Sequence, residues 1–301
     1  MPEACSGDLS IYYETEGDPA GLPLLLVVGL GAQLTWWPPG LRSELADRGF
    51  FVICFYNRDA GRSTWLDDLG PVDLLGVLGG SVPPPYLLAD MAADAVAVLH
   101  ALALSSAHVL GASMGGMIAQ ALAIEHPDRV RSLTSAMSST GDPAAGQQRA
   151  DITGMLLSPR PADKAASVAQ SVALARATSS PAFGFDEART LARLSAEYDR
   201  GNHPEGAGRQ LAAILMSGDR TAALGALSLP VLVIHGDADP MIDVSGGRAT
   251  ATAIPGARLW VIPGMAHDLP AALFGPIADE ITTLATLAKD ALPAVRPEVA
   301  S

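Results

Sequence analysis

The chain has 301 residues, 49% of them hydrophobic and 17% charged, a composition that excludes a disordered polypeptide and supplies a large apolar core. Its 32 Asp and Glu outnumber 19 Lys and Arg, for a formal net charge of −13. With no basic excess to displace counterions, nucleic acid is excluded as a partner.

Along the chain, strand-like and helix-like segments alternate. The N-terminus is polar and acidic, without the basic patch and apolar stretch of a signal peptide. Residues 10–14 alternate as a strand, and 24–28 form a continuous apolar run of the kind buried on both faces of a parallel sheet. Residues 41–48 read as a helix, 51–56 as a buried strand carrying Cys54, and 66–85 as a Gly- and Pro-rich loop. A helix at 86–102, a strand at 107–110, a helix at 115–125 and a strand at 132–137 follow. From 138 to 228 the rhythm changes to Ala-, Ser- and Arg-rich helices with no strand. Strands return at 231–235 and 258–262. Phe274, Ile277, Ile281, Leu284 and Leu287 then mark a closing helix with Pro276 in its first turn, and the stretch after Leu292 reads as a loose end.

This alternation predicts an α/β fold, a mostly parallel sheet with helices on both faces. Residues 1–137 and 229–301 make the core, and 138–228 a helical insertion over one end of the sheet. Cys5 and Cys54 set up neither a disulfide framework nor a zinc site. No uncharged apolar run reaches the ~18 residues that span a bilayer, so a cytoplasmic protein with no membrane insertion is expected.

Ligands of such sheets bind beyond the carboxyl ends of the strands. There, Gly111-Ala112-Ser113-Met114-Gly115 joins a strand to a helix. A nucleophilic hydroxyl at the apex of so tight a turn needs neighbours without bulky side chains, and the helix N-terminus aims N–H groups at developing negative charge. The plain alternative is a tight turn with an incidental serine. A serine also needs a base. Among six histidines, His267 differs in following the last strand, within Pro263-Gly264-Met265-Ala266-His267-Asp268. An acid is sought in His235-Gly236-Asp237-Ala238-Asp239-Pro240. Asp239 is preferred, because Pro240 holds it extended, whereas Asp237 beside Gly236 suits a turn. Backbone donors for an oxyanion are expected at Met114 and at Leu30. Gly76-Val77-Leu78-Gly79-Gly80 lacks a dinucleotide-site context, and the histidines show no metal-ligand spacing. No cofactor and no metal are expected.

Together these residues resemble the α/β-hydrolase superfamily over nearly the whole chain, in the order Ser…Asp…His. Tyr56-Asn57-Arg58-Asp59-Ala60-Gly61-Arg62-Ser63, Gly29-Leu30-Gly31-Ala32-Gln33 and His126-Pro127-Asp128-Arg129-Val130 fit the same family. Residues 58–64, 93–99 and 262–267 are similar to aclacinomycin methylesterase and related lipase/esterase-like proteins. The resemblance implies Ser113, Asp239 and His267 as the triad, 138–228 as a cap domain, and hydrolysis of a carboxylic ester, methyl esters included. Many members carry His-Gly where this chain has Val28-Gly29; the donor N–H is kept and a supporting side chain is lost.

Trp36 and Trp37 beside the oxyanion loop, with Phe183, Phe185 and Met216 from the insertion, are expected to line an enclosed apolar pocket. No basic cluster marks a carboxylate or phosphate subsite, so the expected partner is a small, neutral, hydrophobic ester. Carbon–carbon bond hydrolases, lactonases and cofactor-free perhydrolases share the triad and stay open as alternatives. A non-catalytic ligand-binding protein on the same fold is the alternative of another class.

Overall fold

The computed structural model describes residues 2–291. Its strands are β1 (Glu3–Ser6), β2 (Leu9–Glu16), β3 (Leu22–Val27), β4 (Phe50–Phe55), β5 (Ala107–Ala112), β6 (Val130–Ala136), β7 (Val231–Gly236) and β8 (Arg258–Ile262). They form one sheet in the order β1-β2-β4-β3-β5-β6-β7-β8. The β1–β2 and β2–β4 pairs are antiparallel and every other pair is parallel.

Helices α1 (Pro39–Asp47), α2 (Leu74–Leu78), α3 (Leu88–Ala101) and α4 (Met114–Glu125) precede β6. Between β6 and β7 come α5 (Ala150–Leu157), α6 (Lys164–Ala177), α7 (Glu187–Gly201), α8 (Pro204–Met216) and α9 (Thr221–Leu224). That insertion contains no strand among the described residues. The chain closes with α10 (Val244–Ala253) and α11 (Phe274–Ala291).

Strand side chains alternate between faces, and both faces of this sheet are covered. Leu25 and Val27 of β3 belong to one core cluster with Met91, Val98, Ile118 and Leu122 of α3 and α4. Leu24 and Leu26 belong to a second, with Leu41 and Leu45 of α1 and Ile277, Ile281 and Leu284 of α11. Each fully buried side chain of this kind contributes roughly 1.5–3 kcal/mol. Burial on both sides is why β3, β4 and β7 read as unbroken apolar runs. Cys54 lies in this core, where burial pushes its thiol up to about 12.

The departures from the sequence expectations are local. β1 exists because Glu3 pairs with Tyr12 across a turn at Gly7, whose φ is 57°; its short sequence carries no pattern of its own. The 66–85 loop contains α2, whose Gly76 N–H is accepted by the Asp73 side chain. The stretch after Leu292 lies outside the described residues. Among those described, no helix is long and apolar enough to cross a membrane.

Candidate active site

Three strand ends converge. Ser113 follows β5 with φ 58° and ψ −125°, a conformation that costs a non-glycine residue ~1–3 kcal/mol and persists only where its surroundings over-determine it. Here they do. The Ser113 N–H donates to Ala136 O at 2.9 Å, and its carbonyl accepts from Gly116 N–H at 2.9 Å and from the Ser138 hydroxyl at 2.8 Å. A Cβ on Gly111 would sit 2.1 Å from Gly115 O, and one on Gly115 would sit 2.0 Å from Val27 O. The turn therefore closes only with hydrogen at both positions.

His267, in the loop after β8, places Nε2 2.9 Å from Ser113 Oγ and Nδ1 2.7 Å from Asp239 Oδ2. Asp239, after β7, is 6% exposed. Burial works to raise its pKa, but the His267 charge, hydrogen bonds from His235 and His267 and the Ile242 N–H outweigh it. The carboxyl is held well below the usual carboxylate range. An ionised carboxylate only accepts, so Nδ1 carries the proton and Nε2 faces the Ser113 hydroxyl as an acceptor. Asp237 does otherwise: its Oδ1 accepts from Gly264 N–H at 2.6 Å and shapes the loop.

Gly29 packs against the serine, since a Cβ there would lie 3.2 Å from Ser113 Cβ. The N–H groups of Leu30 and Met114 have no acceptor among the described residues, which leaves both donors open to a ligand.

Several neighbours carry no sequence signal. His235 is fully buried, with Nε2 donating to Ile242 O at 2.8 Å and lying 3.5 Å from Asp239 Oδ2. The inserted segment, at the connection between α6 and α7, grips the loop that carries His267. The His267 N–H donates to Thr178 O at 3.0 Å. The Ser180 hydroxyl accepts from Ala266 N–H at 2.8 Å and donates to Asp268 in a very short contact. Burial pushes the Asp268 carboxyl up despite the hydrogen bonds from Ser180. These partners are separated by 86 residues or more, so only folding reveals them.

Of the residues expected to wall the pocket, one is fully buried and four are half-buried. Trp37 is 1% exposed and belongs to the second core cluster, with Leu41 and Leu45 of α1 and Leu24 and Leu26 of β3. Trp36 stands edge-on to it, ring centroids 5.1 Å apart, and is half-buried. Phe183 packs on the same cluster. Phe185 lies under the Arg176 guanidinium at 4.8 Å, a partner that already covers its face. Met216 ends α8 half-buried. None of these five makes a hydrogen bond or ring contact with the serine, histidine or aspartate.

The sequence spacing gave no metal cluster, yet folding brings ligand atoms of Asp67, His203 and Glu205 within 4.8 Å of one another. His203 Nε2 is hydrogen-bonded to Asp67 at 2.6 Å, and the Arg209 guanidinium stands 3.4 Å from the same nitrogen. A fixed cation there opposes a second one.

A family model described as the alpha/beta hydrolase fold matches residues 23–270. Rhodomycin D methylesterase of Streptomyces peucetius is 31% identical over 296 residues, covering 91% of this chain and 94% of its own. The 3-oxoadipate enol-lactonase 2 of Acinetobacter baylyi is 29% identical over 258 residues, 85% of each chain. Among solved structures, a hydrolase from Pseudomonas aeruginosa superposes with a TM-score of 0.67 at 28% identity, over 94% of this chain and 96% of that one. The chain belongs to the α/β-hydrolase fold family.

Proposed function

We propose that this protein is a serine hydrolase that cleaves a neutral, hydrophobic carboxylic ester, a methyl ester in particular, through an acyl-enzyme. Ser113 is the nucleophile, His267 the base and Asp239 the orienting acid. Leu30 and Met114 N–H are the oxyanion donors, and residues 138–228 are the cap over the site. The observation that carries this reading is the unbroken hydrogen-bonded line from Ser113 Oγ through His267 to Asp239. The strained backbone of Ser113 at the head of α4 adds to it. The methyl ester is favoured by the likeness to the rhodomycin D methylesterase.

In this mechanism Ser113 Oγ attacks the ester carbonyl carbon while its proton passes to His267 Nε2. The carbonyl oxygen gains charge and accepts from the Leu30 and Met114 N–H groups. Asp239 stays ionised and stabilises the imidazolium. Collapse breaks the C–O bond, and the alcohol leaves with the proton held on Nε2. Water, deprotonated by the same nitrogen, then attacks the acyl-enzyme; the acid departs and Ser113 recovers its proton. The likeness to an enol-lactonase fits the same steps acting on a cyclic ester.

The test is covalent. Mixing with a p-nitrophenyl ester should release one equivalent of nitrophenol per protein in a burst, and a fluorophosphonate should add one adduct, at Ser113. Ser113→Ala should lose both, with kcat lower by on the order of 10⁵ or more. A burst that survives in Ser113→Ala overturns the assignment. In a panel of methyl, aryl and cyclic esters, kcat/KM should be higher on soluble short-to-medium substrates than on long-chain triglycerides. A rise in rate once substrate forms an oil–water interface would instead indicate a lipase.

A further inference from the structure

The loop that holds Leu30 is shaped by a residue of α8. After Gly29, three N–H groups come in succession. That of Ala32 turns back to Gly29 O at 3.3 Å, and that of Gly31 donates to Gln210 Oε1 at 2.8 Å. Only that of Leu30 is left without an acceptor among the described residues. The other end of the same amide is also engaged: Gln210 Nε2 donates to Arg58 O at 2.8 Å. Gln210 is fully buried. Because Oε1 must face an N–H and Nε2 must face a C=O, the amide has one orientation and cannot flip.

The helix that presents Gln210 is itself fixed. Arg209, the preceding residue, makes a two-pronged pair with Asp59 at 2.9 and 2.8 Å, with both side chains fully buried. One turn earlier, Ala207 packs against the loop, its Cβ 3.1 Å from where a Cβ on Gly31 would be. Gly31 has φ 61°, a region a glycine enters and leaves freely. Without an anchor its peptide would sample other orientations, and the neighbouring Leu30 N–H would move with it.

We propose that Gln210 is the positioning residue for the Leu30 oxyanion donor, so that the site is completed by the inserted helices and not by the sheet alone. The proposal rests on the serine-hydrolase reading above. Gln210 touches no reacting atom; it acts through the loop.

The experiment compares an oxoester with its thionoester analogue in wild type, Gln210→Leu and Gln210→Asn. The sulfur of a thionoester is a weak hydrogen-bond acceptor, so oxyanion donors aid the oxoester far more. In both variants kcat on the oxoester should fall about 10- to 100-fold with KM nearly unchanged, since displacing one donor costs less than deleting it. The oxo-to-thiono ratio of kcat/KM should fall about tenfold or more. Gln210→Asn keeps a polar side chain that is one methylene too short, and it is read alone if Gln210→Leu does not fold. A loss of folded protein lowers both rates together, so an unchanged ratio overturns the proposal. Ser113→Ala is measured alongside. Wild-type turnover there removes the serine-hydrolase reading and the proposal with it, whereas an inert Ser113→Ala with an unchanged ratio removes the Gln210 assignment alone.

Discussion

Replacing Asp239 by asparagine tests the site through a single proton. The Asp239 Oδ1 is already committed, accepting from Met241 N–H at 2.8 Å and Ile242 N–H at 3.0 Å. In Asp239→Asn the amide oxygen must stay in that position, because two N–H donors cannot face an NH2. The new NH2 therefore takes the Oδ2 position, 2.7 Å from His267 Nδ1. A donor there forces Nδ1 to accept, which moves the imidazole proton to Nε2. Nε2–H then points at Ser113 Oγ and cannot take its proton. A triad with the wrong tautomer loses about 10⁴ in kcat, about 5 kcal/mol of transition-state stabilisation, while substrate binding is untouched. The assay is steady-state hydrolysis of a soluble aryl ester, with KM, kcat and the thermal midpoint recorded together. KM and the midpoint should stay near wild type. Asp237→Asn serves as comparator, since its carboxylate only holds Gly264 N–H, and it should lose less than about tenfold in rate. Asp239→Asn retaining a tenth of wild-type kcat, or Asp237→Asn losing as much, would refute the reasoning.

Asp59→Asn should destabilise the fold by about 3–5 kcal/mol near neutral pH, because it leaves the buried Arg209 guanidinium without its charge partner. Burial works to raise the Asp59 pKa, but Arg209, the Leu66 N–H and the Tyr86 hydroxyl outweigh it, and the net shift is downward. A depressed carboxylate stabilises the fold above its unfolded pKa, ~3.9, and the contribution is lost as pH falls through the folded value. Urea midpoints of wild type and variant should therefore converge below about pH 4; a gap independent of pH would contradict this. Gly115→Ala should place a methyl 2.0 Å from Val27 O, backbone that cannot give way, at a cost of about 3 kcal/mol or more. A wild-type urea midpoint for that variant would show that the turn is not as tight as described.

The sequence alone determined the fold class and pointed to three residues that the structure brings into one hydrogen-bonded line. Apolar runs at β3, β4 and β7 are legible because a sheet covered on both faces needs apolar side chains at successive positions. Ser113 is legible because its turn demands glycine at Gly111 and Gly115. Asp239 and His267 are legible because each lies in the loop after a strand whose end the pattern locates. For Gly111 the cause is local, since its clash is with Gly115 O, whereas Gly115 is imposed by Val27 O of a neighbouring strand.

What tertiary structure decided is everything fixed between distant segments. Trp37 belongs to the core cluster, which its place next to Trp36 does not reveal. His235 stands beside Asp239 because the turn after β7 returns the carboxylate over the strand end. Ser180 holds the His267 loop from 86 residues away, and Gln210 holds Gly31 from 179. A hydrogen bond of that kind leaves no periodicity and no spacing rule in the sequence, because its geometry depends on how two separately formed elements dock. The line from Ser113 through His267 to Asp239 is therefore foreshadowed by the turns at the strand ends, while the contacts of the inserted segment with it are set only when the elements pack.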